Sequence, residues 1–236
     1  MAALRLCGID NVEIEVTGPE IPIMDGSAKP FVDTLLKAGK LIVNEPRKAI
    51  WVHKTVEVAE GDRSAQLLPD TQPRISVAID FAEKAIGAQK LSVALEDPRV
   101  ITDIAPARTF GFIDQIENLR RQGYARGGSL NNAVLVDGEH IVNPQGLRFE
   151  NDFVRHKILD AIGDLALIGI PVIGEYRGHK SGHYLNKLLI KKLLADKGAW
   201  SYISMDEFYS LHGETPRYAD EPCAEKPFPR RIQRAR

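Results

Sequence analysis

One stretch of this chain cannot be left on a surface. Residues 155 to 164 read RHKILDAIGD, with Phe153 and Val154 before them and Leu165, Leu167, Ile168 and Ile170 after. Drawn as a helix, Ile158, Leu159, Ala161 and Ile162 join those residues to leave no wide polar face, so the fold has to cover it on more than one side. Within the same helix His156, Asp160 and Asp164 recur every four residues. Each lies about 40° further round the axis, so one imidazole and two carboxylates share a face. Charges carried into an enclosed helix need partners. Neutral imidazole and carboxylate are the usual non-thiolate ligands of Zn²⁺, and a His followed one turn later by a carboxylate supplies two of the three protein ligands of a hydrolytic zinc. A solvated charged face, or a set of structural ion pairs, has the same spacing.

Composition narrows the class. The 236 residues, 44% hydrophobic with a formal charge of −1, suffice for one large or two small cores and have no overall basic character, which argues against a nucleic-acid partner. The longest apolar run, Leu165 to Ile173, is broken by Gly169 and Pro171 and is too short to cross a bilayer. No basic, apolar, small-residue signal opens the chain, so a soluble cytoplasmic protein is expected. Cys7 and Cys223 lie at opposite ends without CxxC spacing and read as bystanders.

Along the chain, Val12, Ile14 and Val16 alternate with Glu13 and Glu15, the pattern of a half-buried strand, before the turn-rich TGPEIPIMDGS. Ser27 is the expected N-cap of a helix to about Lys40, with Pro30 in its first turn and Phe31, Val32, Leu35 and Leu36 inward. One strand and one helix cannot enclose a core, so residues 1–45 read as the C-terminal remnant of an α+β domain. After Glu45–Pro46, alternating segments at Ala49–Val58, Ser64–Leu68, Arg74–Phe81 and Leu91–Ala94, separated by EGD and DTQP, predict an antiparallel sheet. A charged amphipathic helix over Asp114–Gln122 follows, then a strand at Ala133–Val136 closed by an Asp137–Gly138 turn, then the long helix Glu150–Ile168. Strands first and helices later predict an α+β layer architecture, with residues 46–212 as a second domain. From Gly213 on, the Pro- and charge-rich segment lacks apolar periodicity and reads as a loose tail, 213–236.

Two more segments carry chemistry. GHKSGHYLNKLL, 178–189, sets His179, Lys180 and His183 at the start of another amphipathic helix with Ser181 as candidate N-cap; helix N-termini with a nearby lysine attract phosphate, and a histidine there can do acid–base work. ARTFGF, 107–112, offers the Thr109 hydroxyl and two aromatics beside a glycine, which core aromatics in a turn would also produce.

In order, GIDNVEIEVTGPEIPIMDGSAKPF (8–31), ARTFGF, GLRFENDFVRHKILDAIGDL (146–165) and KSGHYLNKLL (180–189) resemble the UDP-3-O-acyl-N-acetylglucosamine deacetylases, the zinc amidases of lipid A synthesis, up to about Phe208. The resemblance implies an α+β fold: a two-domain layered sheet/helix sandwich with helices inside and the active site between domains, the first domain here largely missing. In that family a TVEH motif directly precedes a segment like the one at Met1; its His is the third zinc ligand and its Glu the general base. The expectation is therefore an N-terminally truncated enzyme, short of both groups.

The same resemblance makes His156 and Asp160 ligands of Zn²⁺. Thr109 becomes an oxyanion donor, His183 the catalytic histidine and Asp164 its partner. Lys157 and Lys180 match residues that hold the sugar and pyrophosphate, and Phe110 and Phe112 match substrate-contacting aromatics. The stretch 111–140, with the Arg126–Gly127–Gly128–Ser129 loop, corresponds to the insert shaping an acyl-chain passage, where apolar lining is expected. The implied partner is a UDP-linked acylated glucosamine, met by a monomer without a transmembrane segment but transiently near a membrane. A competing reading is a non-catalytic fragment that keeps UDP-sugar binding.

Overall fold

The computed structural model describes residues 1–122 and 127–212, with side chains of 117–120 left aside; Arg126 and the tail 213–236 lie outside the described residues. Helices are α1 (Ala2–Leu6), α2 (Lys29–Ala38), α3 (Val100–Ile104), α4 (Ile113–Arg121), α5 (Asp152–Leu165), α6 (His183–Ala195) and α7 (Met205–His212). Strands are β1 (Lys48–Val52), β2 (Val56–Glu60), β3 (Arg63–Leu68), β4 (Arg74–Asp80), β5 (Ala88–Ala94), β6 (Phe110–Phe112), β7 (Val134–Asp137), β8 (His140–Ile141), β9 (Val172–Ile173), β10 (Glu175–His179) and β11 (Trp200–Ser204). The mixture of helices and sheets is the expected α+β class.

A five-stranded sheet in the order β2-β3-β10-β4-β5 forms the main layer. Its alternation puts Ala65, Leu67, Ile75, Val77, Ile79 and Tyr176 on the buried face, where α5 lies over β4 and β5 and α6 over β2 and β3. Helices α1, α3 and α6 also pack on α5, so the helix is enclosed as its composition demands. Phe153, Val154, Ile158 and Ile162 are each 1% exposed or less, and burial of such side chains stabilises by about 1.5–3 kcal/mol apiece. Two smaller sheets have the orders β11-β1-β9 and β6-β7-β8. None of the described helices is long and apolar enough to cross a membrane.

Several local expectations are corrected. The alternating Val12–Val16 run is not a strand: the residues are exposed, and no described strand pairs with them. Helix α2 begins at Lys29 with Ala28, not Ser27, at the cap position, although the Ser27 hydroxyl still accepts the Lys29 amide at 3.2 Å; Leu36 points outward. Ala49–Val58 is two strands in two sheets, because the amides of His53 and Lys54 turn to the Ala199 carbonyl (2.7 and 3.2 Å) and lead the chain out of one sheet into the other. The main sheet is mixed rather than antiparallel: β10 returns through α5, a crossover that lets it lie parallel to β4. Strands and helices therefore interleave. Helix α6 is capped by Gly182, with Ser181 drawn away to the Tyr176 hydroxyl.

Candidate active site

Helix α5 brings His156, Asp160 and Asp164 to one face, and the turn after α3 meets it. The His156 imidazole, 9% exposed, donates from Nδ1 to the Ala107 carbonyl at 3.1 Å. That bond leaves Nε2 as a bare acceptor, facing Asp160 Oδ1 at 3.4 Å. Burial pushes the His156 imidazole below its usual pKa, against the opposing pull of Asp160 and the Ala107 carbonyl, which favours the neutral ring. Two acceptors facing each other across so short a gap repel unless a cation lies between them. Two ligand atoms each about 2.0–2.1 Å from a tetrahedral zinc stand about 3.4 Å apart, which the pair matches. The donor set thus fits two of a zinc ion's ligands. Among the described residues no group of three or more His, Cys, Asp or Glu side chains converges to hold a metal.

The remaining oxygen of Asp160, Oδ2, accepts from Lys157 Nζ at 3.0 Å. Lys157 in turn stands 5.6 Å over the Phe110 ring. Phe110 packs edge-on against Phe153 (5.0 Å), His156 (6.3 Å) and Phe112 (6.1 Å). Phe81 packs against both Phe110 (5.6 Å) and Phe112 (5.7 Å).

His183 opens α6. Its Nδ1 donates to both oxygens of Asp164, at 2.8 and 3.0 Å, and its Nε2 looks back at Asp160 Oδ1 from 3.8 Å. A helix N-terminus disfavours positive charge. The hydrogen bond to Asp164 nevertheless raises the pKa of His183 above its ordinary value, outweighing partial burial, with Asp160 adding to the rise. Two imidazoles therefore face one carboxylate oxygen with their pKa values shifted in opposite directions: His156, enclosed, downward, and His183, with 68% of its side chain exposed, upward.

Thr109 is fixed by its backbone. Its amide donates to the Gly26 carbonyl and its carbonyl accepts from Val134, both at 2.8 Å, while its methyl group lies over Gly26. It joins the cluster through Ala107, two residues earlier. Lys180 does not join it: held at a φ of 48°, it extends Nζ between Asp62 and Asp80 at 2.9 and 3.0 Å. Phe112 meets the cluster through Phe110 and Phe81, which also touch each other, at 5.6 Å between ring centroids.

Sequence reasoning missed three members of this network. The Ala107 carbonyl has no sequence signal at all. Asn186, which donates to Asp164 Oδ2 at 2.8 Å, lies three residues after His183 on one helix face, a spacing that could have found it. Tyr176, whose hydroxyl reaches Asn186, sits in a strand too short to show its period.

The profile of the family described as UDP-3-O-acyl N-acetylglycosamine deacetylase matches residues 1–195. Proteins named UDP-3-O-acyl-N-acetylglucosamine deacetylase are similar over most of the chain. The one from Phenylobacterium zucineum (strain HLK1) is 47% identical over 200 residues, 85% of this chain and 68% of its own. That from Vibrio parahaemolyticus serotype O3:K6 (strain RIMD 2210633) is 47% identical over 208 residues, 87% and 68% of the two chains. That from Myxococcus xanthus (strain DK1622) is 46% identical over 203, 86% and 65%. The chain spans about two thirds of the length of these curated relatives.

Proposed function

The chain belongs to the UDP-3-O-acyl N-acetylglycosamine deacetylase family, and from that premise we propose that its site serves zinc-dependent hydrolysis of the acetamide of a UDP-linked 3-O-acyl-N-acetylglucosamine, in lipid A synthesis in the cytoplasm. The observation that carries the reading is the convergence of His156 Nε2 and Asp160 Oδ1 beside the His183–Asp164 pair.

His156 and Asp160 would hold the ion. When bound, Zn²⁺ lowers the pKa of a water and polarises the amide carbonyl. Water adds to the acetamide carbon and its protons pass to solvent, the C–N bond breaks, and acetate and the free amine leave. His183 Nε2, on the open side of the ring, gives its proton to the departing nitrogen, and Asp164 keeps that imidazole charged until then. The Thr109 hydroxyl serves as donor to the oxyanion formed on addition. Lys157 and Lys180 supply point charges for the sugar and pyrophosphate, Lys180 by releasing Asp62 and Asp80, and Phe110, with Phe112 against it, forms an apolar wall beside Lys157.

A second reading, UDP-sugar binding without turnover, is favoured by the lack of a third converging ligand among the described residues. One experiment separates the two. The purified chain is titrated with zinc and offered the UDP-3-O-acyl-N-acetylglucosamine substrate, alongside His156→Ala and Asp160→Ala. Zinc uptake and amine release, both lost in the two variants, support hydrolysis. Substrate binding without zinc uptake or amine release supports the second reading and overturns the first.

A further inference from the structure

Behind Asp164 runs a chain of hydrogen bonds whose direction is settled by counting protons. The Tyr176 hydroxyl lies 2.5 Å from Asn186 Oδ1 and 2.9 Å from Ser181 Oγ. An amide oxygen only accepts, so the single phenolic proton goes to Asn186 and the Ser181 hydroxyl donates to Tyr176. With its oxygen engaged, Asn186 turns its NH₂ toward Asp164 Oδ2, at 2.8 Å. Oδ2 is the same oxygen that takes the shorter bond from His183 Nδ1. Tyr176 and Asn186 are 1% and 2% exposed, so neither can exchange its partner for water without opening the core. Burial also pushes the Tyr176 phenol up, so it keeps its proton. Gly178 makes the room: a Cβ there would stand 2.3 Å from Ser181 Oγ and 2.8 Å from the Tyr176 hydroxyl.

We propose that Asn186, oriented by the buried hydroxyl of Tyr176, is a positioning residue that fixes the Asp164 carboxylate in the rotamer accepting from His183 Nδ1, and so aims His183 Nε2 into the site. Neither residue touches substrate. Without Asn186, Asp164 loses its second hydrogen-bond donor and can turn about χ1 or χ2, and His183, mostly exposed, keeps only the longer 3.8 Å approach to Asp160 Oδ1 besides Asp164 among the described residues. The inference rests on the reading of His183 as the proton carrier, but its test needs neither metal nor substrate, so failed deacetylation leaves it standing.

The test is NMR of the chain labelled with ¹⁵N-histidine, at one fixed pH, following exchange of the His183 Nδ1 proton with water. The parent protein is expected to show that proton hydrogen-bonded and slowed. In Asn186→Leu and Tyr176→Phe it should exchange about fivefold faster, the factor one hydrogen bond of ordinary net strength represents. Gly178→Ala should act in the same direction. Tyr176→Phe removes one oxygen and keeps the ring in the core, so it remains informative if Asn186→Leu does not fold. A merely structural role would lower melting temperature and leave the His183 proton unchanged. That result in a folded Tyr176→Phe protein overturns the proposal, as does a parent protein without a slowed Nδ1 proton.

Discussion

Residues 153–165 and residues 12–24 are both rich in branched apolar side chains, and they end in opposite states. In α5, Phe153, Val154, Ile158 and Ile162 are at most 1% exposed; Val12, Ile14, Val16, Ile21 and Ile23 are 50–53% exposed. The difference lies in where the backbone finds its hydrogen bonds. A helix makes them within its own turns and needs neighbours only to cover side chains. A strand makes none by itself, so alternation names a face without providing the ladder that turns it into structure. Order returns to the earlier segment where it meets the active-site turn: Ala28 N donates to Ala105 O at 3.0 Å, Gly26 O accepts from Thr109, and Arg148 grips Asp25 at 2.8 Å.

The largest effect should come from the enclosed side of this contrast. Phe153→Ala is expected to cost about 3–5 kcal/mol, read as a fall in the urea midpoint, because its ring is walled in and is also the floor under Phe110. A loss under 1 kcal/mol would mean that α5 is not the enclosed element it is taken for. Next is a pair of glycines from one segment. Gly26→Ala puts a Cβ 2.0 Å from the Asn132 carbonyl oxygen at a φ of 80°, and should cost about 1–3 kcal/mol. Gly18→Ala meets nothing within 4 Å and should stay within about 0.5 kcal/mol. Equal effects would erase the boundary between the anchored and unanchored parts.

The same contrast explains what could be read from the chain alone. Strands β3, β4 and β5 and helix α5 were legible because their apolar patterns run for several residues: β3 and β4 alternate with a buried face, β5 with a half-buried one, and α5 is apolar on most sides. His156, Asp160 and Asp164 were legible as one helical face for the same reason. Strand β10 was not, because Tyr176 and Gly178 are its only inward residues and glycine carries no apolar signal. The Ala107 carbonyl, which decides which nitrogen of His156 faces Asp160, belongs to the backbone and leaves no mark on residue type. Cap assignments failed at Ser27 and Ser181 because other side chains claimed both hydroxyls: Asp25, two residues back in the turn, accepts from one at 2.8 Å, and Tyr176, on β10, from the other.

A smaller effect sits at the anchor itself. Burial alone would raise the Asp25 carboxyl; hydrogen bonds from Arg148 and Ser27, with the Arg148 charge, outweigh it and hold the group below the usual carboxylate value. A carboxyl depressed on folding contributes stability that is present above its unfolded pKa and lost as pH falls through its folded one. Asp25→Asn should therefore lower stability near neutrality and match the parent protein at strongly acid pH. The difference should stay under about 1 kcal/mol, because the Arg148–Asp25 pair is partly open to solvent, at 35% and 29% of its side chains. Urea titrations across the acid range read it; a gap that widens toward low pH would reverse the sign and break the argument.

The smallest effect tests the other side most directly. Ile14→Ser should change stability by less than about 0.5 kcal/mol, since a side chain already half in water has little burial to lose. The amides of residues 12–16 should exchange as in an unstructured peptide, with no ladder partner among the described strands. The two measurements must move together. A loss of about 2 kcal/mol, the lower end for truncating a buried large aliphatic side chain, together with slowed amides, would mean that this alternation had found a strand to pair with in solution. In that event residues 12–16 and α5 would differ in the distance to their hydrogen-bond partners rather than in having them.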